Sequence, residues 1–350
     1  MSGRDSLVSN PDISILKENI QLFFKRDFDS LEKIGVKVKN TKTWSIEDAL
    51  NRSNAQNAIK SIIKYNYRGF DEHYIVYDNT LTEGCRQGYL DLINLENPSI
   101  ATTRSIRSDH FSHALIIKQP AEKCFLAVKD SSYIFLLKRS KNKNDYNVNL
   151  KSLSFLKYNI NEEEVFYYIY ATLFSNIYKR KYNEQLKSHF PHIPFPNFNN
   201  ISFSKQLFKD MSNLGKKLAE VHLGISNLID ITEFPIGRTS DFRIIEPFYS
   251  ESEKRIYLNQ NQFWVGNISK ELWEFEIGSI RQLYSWLISR KYKNPSLSSS
   301  NSRFKRHIGL YRPLNQDEIK EFLKICSIIK LTLKICVEID EIFKKIDFEG

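Results

Sequence analysis

The chain has 350 residues, of which 41% are hydrophobic and 13% aromatic, and its 51 Lys and Arg against 41 Asp and Glu give a formal net charge of +10. This apolar content excludes a largely disordered chain, and the length predicts two lobes with full hydrophobic cores. No apolar run reaches the roughly 18–20 residues of a membrane-spanning helix, and no apolar segment typical of a signal peptide follows the amino terminus. The four cysteines are scattered without the C-x-x-C spacing of zinc sites, which favours reduced thiols over a zinc ribbon or a disulfide framework. We therefore expect a basic cytoplasmic protein with no membrane association.

The first part of the chain is predicted to combine helices with a β-rich region. Residues 11–29 show helical periodicity, with Asp12 in the first turn. A second helix is expected after Ser45, because Asp48 three residues later forms a variant of the capping box. Residues 62–137 consist of short runs rich in Ile, Val, Tyr and Phe, separated by turn residues, which predicts strands.

The middle of the chain returns to helical periodicity. A lysine-rich connector, residues 138–149, precedes a helix that Asn161 is expected to cap. Residues 189–198 contain three prolines and are predicted to form an extended link. Another helix is predicted at residues 203–223.

The last part of the chain is predicted to contain a small sheet and two helical regions. Short strands are expected within residues 243–266, and helices around 270–290 and from 315 to 343. Cys326 and Cys336 lie on the apolar face of the last helix, where they are expected to be small core residues.

These elements together predict an α+β fold with two lobes. The N-terminal lobe, residues 1–198, would contain the first helices, a β-rich recognition region and a helical connector. The C-terminal lobe, residues 199–350, would be mainly helical with a small sheet.

Positive charge is unevenly distributed along the sequence. The 40 residues from Ile277 to Gln316 contain no Asp or Glu and carry eight Lys and Arg, which is +8 of the net +10. We call this segment the acid-free window. Such a segment favours an anion-binding face, whose partner could be nucleic acid, a membrane surface or an acidic protein. A solvated surface is the alternative interpretation of any single cluster.

The sequence offers little support for catalysis or metal binding. His110 with His113, and His189 with His192, lack the Cys or carboxylate spacing of zinc sites, so structural roles are expected. Glycine-rich phosphate loops and the G-x-S-x-G motif are absent. The tetrapeptide Asn97-Pro98-Ser99-Ile100 resembles only half of the Asn-Pro-Pro-Tyr motif of adenine amino-methyltransferases. We therefore expect that the chain is not catalytic by itself.

Several short motifs occur in order along the chain: Ser2-Gly3-Arg4-Asp5-Ser6-Leu7-Val8, Tyr67-Arg68-Gly69-Phe70-Asp71, Glu164-Val165-Phe166, Phe190-Pro191-His192-Ile193-Pro194, Trp273-Glu274-Phe275 with Ile277-Gly278, and Glu338-Ile339-Asp340. In this order they resemble the C-terminal target-recognition region of Type ISP restriction–modification enzymes, single-polypeptide DNA translocases with an adenine methyltransferase and a specificity domain. The chain departs from that pattern at Gly69, where the family has proline, and at Ser279, where it has a second glycine. The resemblance begins where the methyltransferase core of that family ends.

The resemblance implies sequence-specific binding of duplex DNA, as the specificity part of a restriction–modification system with a partner adenine methyltransferase and translocase. In this hypothesis Arg104 and Arg107 read bases from loops of the first lobe. The phosphate-binding candidates are the clustered cations of the connector and the acid-free window: Lys138, Arg139, Lys141, Lys143, Arg281, Arg290, Lys291, Lys293, Arg303, Lys305 and Arg306. No cofactor or metal is expected in this chain, and S-adenosylmethionine is expected only in the partner methyltransferase.

Two other classes of function stay open from the sequence. One is a self-contained nuclease or methyltransferase, against which the missing motifs argue. The other is a non-catalytic protein-interaction module, or the remnant of a larger restriction–modification enzyme. The aromatic motif residues, such as Tyr67, Phe70 and Trp286, are expected to be scaffold in each case.

Overall fold

The amino-terminal segment consists of five short helices packed on a three-stranded antiparallel sheet of order β1-β3-β2. The computed structural model describes residues 5–142, 144–153, 159–196, 201–259, 262–293 and 309–346. The first elements are α1 (Asp5–Val8), β1 (Ser9–Asn10), α2 (Ile13–Phe24), α3 (Phe28–Lys33), α4 (Ile46–Arg52), α5 (Ala55–Lys60), β2 (Ile62–Arg68) and β3 (Asp71–Val76).

Side-chain caps start α2 and α4. The cap at Ser45 was predicted, whereas Asp12, expected in the first turn, is the cap that precedes it. The Asp12 carboxylate accepts the backbone N–H of Ser14 at 2.8 Å, and Ser45 caps α4 in the same way. The predicted helix 11–29 was too long, because α2 ends at Phe24. Arg26 has a φ of 60°, a left-handed conformation that an α-helix does not continue through.

A second antiparallel sheet confirms the β-rich region. After α6 (Gln87–Leu90) it comprises β4 (Ser99–Thr103), β5 (Ala114–Ile117) and β6 (Ser132–Leu136), in the order β5-β4-β6. All five residues of the central strand β4 are buried. Ile100 belongs to the largest hydrophobic cluster and its neighbour Ala101 to another, so both faces of the sheet are covered.

A helical layer covers one face of this sheet. It contains a 3₁₀ turn (Leu150–Leu153), α7 (Glu162–Phe174), α8 (Asn176–Lys181), α9 (Asn183–Ser188) and α10 (Ile201–His222). The predicted cap at Asn161 is a complete capping box, since Glu164 bonds back to the Asn161 N–H. Helix α10 crosses α7 at Gly215, where a Cβ would lie 1.9 Å from the Tyr167 carbonyl oxygen. Only glycine allows this close approach.

The last part of the chain contains two small sheets and a long helix. Its elements are β7 (Phe248–Ser250), β8 (Arg255–Asn259), β9 (Phe263–Val265), α11 (Lys270–Trp273), β10 (Glu276–Ile277), β11 (Ile280–Arg281), α12 (Gln282–Ser289) and α13 (Gln316–Phe343). The prediction of one helical region at 270–290 was incomplete, because the β10–β11 hairpin divides it at Gly278, where φ is 63°. The predicted α13 is confirmed, and Asn315 caps it with a second capping box.

Helix α13 joins the two largest hydrophobic clusters. Its first half, Ile319 to Ile329, packs with α11, α12 and the β7-β8-β9 sheet. Its second half, from Ile328 to Phe343, packs with α7, α10 and the β5-β4-β6 sheet. The predicted mixed α+β class is confirmed.

The largest cluster takes residues from both sides of position 198. The division of the chain into lobes 1–198 and 199–350 stays a prediction. Within the described ranges, every helix is too short or too polar to cross a bilayer.

A chain of buried hydrogen bonds at His222 ties the sheet to three helices. The Ile116 N–H donates to the Tyr170 hydroxyl, which in turn lies 2.5 Å from His222 Nδ1. His222 Nε2 lies 2.7 Å from the Thr332 hydroxyl, and that hydroxyl donates to the Ile328 carbonyl. Tyr170, His222 and Thr332 can each accept one hydrogen bond and donate one along this chain only if the imidazole is neutral, with its proton on Nε2. Burial accordingly lowers the pKa of His222 to about 3.

We expect the folded chain to lose stability as the pH falls from about 7 to about 5. Between its unfolded pKa of 6.5 and its folded pKa of about 3, His222 binds a proton only in the unfolded chain. This difference costs up to about 1.4 kcal/mol per pH unit. The measurement is the free energy of unfolding against pH for the wild type and for His222→Gln, which should have a shallower slope.

His192→Gln is the matched control, because the His192 side chain is exposed. His113 is buried as well, and burial lowers its pKa to about 4, so His222→Gln should reduce the slope without abolishing it. A slope equal to that of the wild type would contradict the role assigned to His222.

Candidate nucleic-acid interface

The two base-reading candidates lie on one loop at the end of β4. Arg104 directly follows the strand and is exposed. Arg107 is also exposed, with 71% of its side-chain surface accessible. Between them, Ile106 is buried, and its N–H donates to the Lys187 carbonyl of α9 at 3.1 Å. This anchor fixes the loop and leaves both guanidinium groups on the outside.

The Asp130 carboxylate contacts both the backbone and the side chain of Arg107 in this loop. Asp130 accepts the Arg107 backbone N–H at 3.3 Å, and its Oδ1 lies 3.6 Å from Arg107 Nε. Its other oxygen lies 3.9 Å from Nε2 of the buried His113. The long Arg107 contact leaves most of the guanidinium hydrogen-bonding capacity available to a ligand.

The connector cluster lies beyond β6. Lys138 is half-buried, and Asn97 bonds both its N–H and its carbonyl. Arg139 is 65% exposed and forms an ion pair with Asp145 at 2.8 Å. Lys141 is exposed, and Lys143 lies outside the described residues. The exposed members of this group, Arg139 and Lys141, remain accessible to a phosphate.

The acid-free window is not a uniform surface. Arg281 is exposed and lies 5.2 Å from the ring centroid of Tyr284. Lys291 and Lys293 are half-buried, and burial lowers the pKa of Lys293. Three further candidates, Arg303, Lys305 and Arg306, lie outside the described residues.

The prediction that Arg290 binds phosphate was wrong on structural grounds. Its side chain is only 2% exposed, and Nη1 lies 2.7 Å from Oδ1 of the equally buried Asp71. The guanidinium also lies 3.9 Å above the Trp286 ring. A group held in this way cannot reach a ligand at the surface, so Arg290 is removed from the phosphate candidates.

The buried pair also explains the ionisation of Asp71. Burial raises the pKa of this carboxyl group, but Arg290 and His73 lower it more, to about 2. Ser289 adds a hydrogen bond of 2.9 Å to the same carboxylate. Asp71 is therefore a fully paired anion at neutral pH, and its role is structural.

The neighbouring motif residues dock the same hairpin on α12. The Phe70 N–H donates to the Gln282 side-chain oxygen at 3.1 Å. A Cβ at Gly69 would lie 1.8 Å from that oxygen, so a side chain at this position would displace Gln282. The Gly69-Phe70-Asp71 tip is thus scaffold, in agreement with the expectation for Phe70.

We expect Arg290→Met to destabilise the chain by about 3–5 kcal/mol, because it leaves the Asp71 carboxylate buried without its partner. Denaturant unfolding measures this loss. Arg139→Met is the matched control, since it removes an exposed ion pair and should cost about 0–1 kcal/mol. Equal losses for the two variants would argue against the buried pair.

The histidines do not form a metal site in the described part of the chain. No group of three or more His, Cys, Asp or Glu side chains there could hold a metal ion. His113 is buried, whereas His110, His189 and His192 are exposed. These positions agree with structural or solvent-exposed roles.

Comparison with known proteins identifies the family. Residues 1–316 match the family model of the Type ISP C-terminal specificity domain. The chain therefore belongs to this family. No curated protein matches it at a significant level.

Three solved structures of similar fold contain DNA or a DNA substrate mimic. A nuclease-deletion mutant of the Type ISP restriction-modification enzyme LlaGI, in complex with a DNA substrate mimic, aligns with a TM-score of 0.64 and 19% identity over 96% of this chain and 27% of that chain. The ATP-dependent Type ISP enzyme LlaBIII bound to DNA aligns with a TM-score of 0.67 and 17% identity, over 99% of this chain and 23% of its own length. The DrdV–DNA complex gives a TM-score of 0.67 and 18% identity, over 100% of this chain and 35% of that chain. This chain thus spans about a quarter to a third of these proteins.

The sequence did not lead to a prediction for the aromatic residues of β6. Tyr133 and Phe135 on β6 are 43% and 42% exposed, although their strand is predominantly apolar. Aromatic and aliphatic residues alternate in the sequence of β6, and this alternation was a usable signal. Successive residues of a strand point to opposite faces, so Tyr133 and Phe135 share one face and Ile134 lies on the other.

Proposed function

We propose that this chain recognises a specific sequence in duplex DNA as the specificity part of a restriction–modification system. It would place a target adenine in the pocket of a partner methyltransferase, which would hold the S-adenosylmethionine, and would act together with a translocase. The observation that carries the proposal is the match of residues 1–316 to the Type ISP specificity domain, together with DNA-bound structures of the same fold.

The geometry of the Arg104–Arg107 loop supports the proposal. Both arginines are exposed on a loop that the buried Ile106 holds in place. Arginine donates two hydrogen bonds to guanine in the major groove, and a preorganised loop loses little freedom when it binds. Exposed cations elsewhere, such as Arg281 and Lys141, would contact phosphates without sequence preference.

Replacing both loop arginines should relax the sequence preference. We expect Arg104→Ala with Arg107→Ala to reduce discrimination by about 1–3 kcal/mol per lost base contact. The measurement is selection from a randomised duplex pool, followed by sequencing of the retained DNA. Arg52→Ala is the matched control, because Arg52 is an exposed arginine of α4 that pairs with Asp48.

An enriched motif for the wild type, weakened in the double variant and kept in Arg52→Ala, would support the assignment. An unaltered motif in the double variant would remove Arg104 and Arg107 as readers. Absence of any enriched motif for the wild type would contradict the proposed function.

Phosphate contacts should make the affinity for DNA depend on the salt concentration. We expect Arg281→Ala with Lys291→Ala to weaken binding to all sequences alike and to reduce the slope of log K against log salt by about 0.9 for each lost phosphate contact. Binding at a series of salt concentrations measures this slope. Lys330→Ala is the control, because Lys330 lies on α13 outside the acid-free window and pairs with Glu233. An unchanged slope in the double variant would refute the phosphate assignment.

A further inference from the structure

Three aromatic rings meet at the outer edge of the β5-β4-β6 sheet. The Tyr133 and Phe135 rings lie 5.0 Å and 6.0 Å from the Phe190 ring, which is nearly perpendicular to both. We call these three residues the aromatic edge. They form an apolar surface that is partly open to solvent, although the rest of the sheet is well covered.

The aromatic edge is held in position by the link that follows α9. The Tyr178 hydroxyl donates to the His192 carbonyl at 2.9 Å, and the Tyr168 hydroxyl donates to the Pro194 carbonyl at 2.7 Å. These bonds, together with the stiff prolines of the link, fix Phe190 against β6. The rings are therefore preorganised before any partner binds.

The aromatic edge lies beside the base-reading loop. In the sheet register Tyr133 pairs with Thr102 and Ser132 pairs with Thr103, so Arg104 follows directly at the same end of the sheet. Asp130, which contacts Arg107, lies three residues before Tyr133. The two arginines and the aromatic edge thus lie toward the same end of the sheet.

The charge around this surface favours a polyanion. Arg104, Lys123 and Lys129 are exposed, and they form no salt bridge within the described part of the chain. Glu122 pairs with Arg68 at 2.7 Å, and Asp130 lies 3.6 Å from Arg107. Asp109 is exposed two residues after Arg107, so the exposed cations outnumber the exposed carboxylate of this region. Exposed rings beside unpaired cations are the combination that binds nucleic-acid bases by stacking while the cations hold the backbone.

We propose that the aromatic edge stacks on a nucleobase that has left the duplex stack at the recognised site. In an intact duplex the faces of the bases are covered by their neighbours, so only an unstacked base offers a face to these rings. When the target adenine leaves the stack for the methyltransferase pocket, the base that was paired with it loses its partner and can leave the stack in turn. The presence of an unstacked base at the site therefore depends on the proposed function. The ability of the chain to stack on such a base depends only on Tyr133, Phe135 and Phe190.

The test compares two labelled duplexes that differ only in one mispaired, easily unstacked position. The wild type is expected to bind the mispaired duplex about five- to hundredfold more tightly, as is typical of one stacked base. Tyr133→Ala with Phe135→Ala should reduce this ratio to near one. Fluorescence anisotropy of the full chain measures both affinities.

Three variants separate stacking from other effects. Tyr133→Phe keeps the ring and should keep the preference, whereas Tyr133→Leu keeps an apolar side chain and should lose much of it. Phe248→Ala removes an exposed aromatic residue from a different sheet and should have no effect. Thermal unfolding identifies any variant that has lost its fold, and Tyr133→Leu then carries the comparison.

Equal wild-type affinity for the two duplexes would overturn the inference, as would an unchanged preference in Tyr133→Leu. Loss of binding to a partner protein in the alanine variant, with the preference for the mispaired duplex unchanged, would also overturn it and indicate a protein-docking surface. A mispaired-duplex preference that persists without any enriched sequence motif would support the aromatic edge while the proposed specificity function fails.

Discussion

The buried ion pair between Asp71 and Arg290 joins two parts of the chain that are 219 residues apart. It lies at the tip of the β2–β3 hairpin, where Phe70 packs against three of the four hydrophobic clusters. Because both groups are removed from water, Arg290 offsets the cost of burying the Asp71 carboxylate and, with His73, keeps the pKa of that carboxyl group low. The hairpin tip therefore acts as the joint that sets α12, which lies within the acid-free window, against the amino-terminal part.

Internal ion pairs of this kind reduce the positive charge that the acid-free window can offer to a ligand. Arg290 holds Asp71, and Arg312 contacts Asp12 at 2.6 Å and Glu318 at 2.7 Å. Two of the eight cations of the acid-free window are thus used to hold elements together. Fewer than eight cations of the acid-free window therefore remain for a DNA backbone. They include the exposed Arg281 and the half-buried Lys291.

The surface proposed for DNA recognition follows from the way the β5-β4-β6 sheet is packed. Both faces of β4 are buried, so the exposed side chains proposed to contact DNA lie at its end and along the edge strand β6. Ile106 anchors the loop while Arg104 and Arg107 extend from it, and Phe190 supports the rings of the edge strand. A rigid scaffold with exposed loop side chains is the arrangement that binding proteins commonly use. Arginines that read base edges and rings that stack on an unstacked base would then act side by side.

The sequence by itself determined the local features of this protein. The caps at Ser45 and Asn161 depend on side chains and N–H groups within three residues, so they could be predicted. Asp12 and Asn315, which the sequence placed within helices, cap their helices through equally local bonds. The order of short motifs, which spans the chain, was sufficient to predict the family. Only the tertiary structure decided which cations are exposed, because burial depends on contacts between distant segments. Arg290 is buried for this reason, and β6 leaves its aromatic residues exposed because it lies at the edge of its sheet.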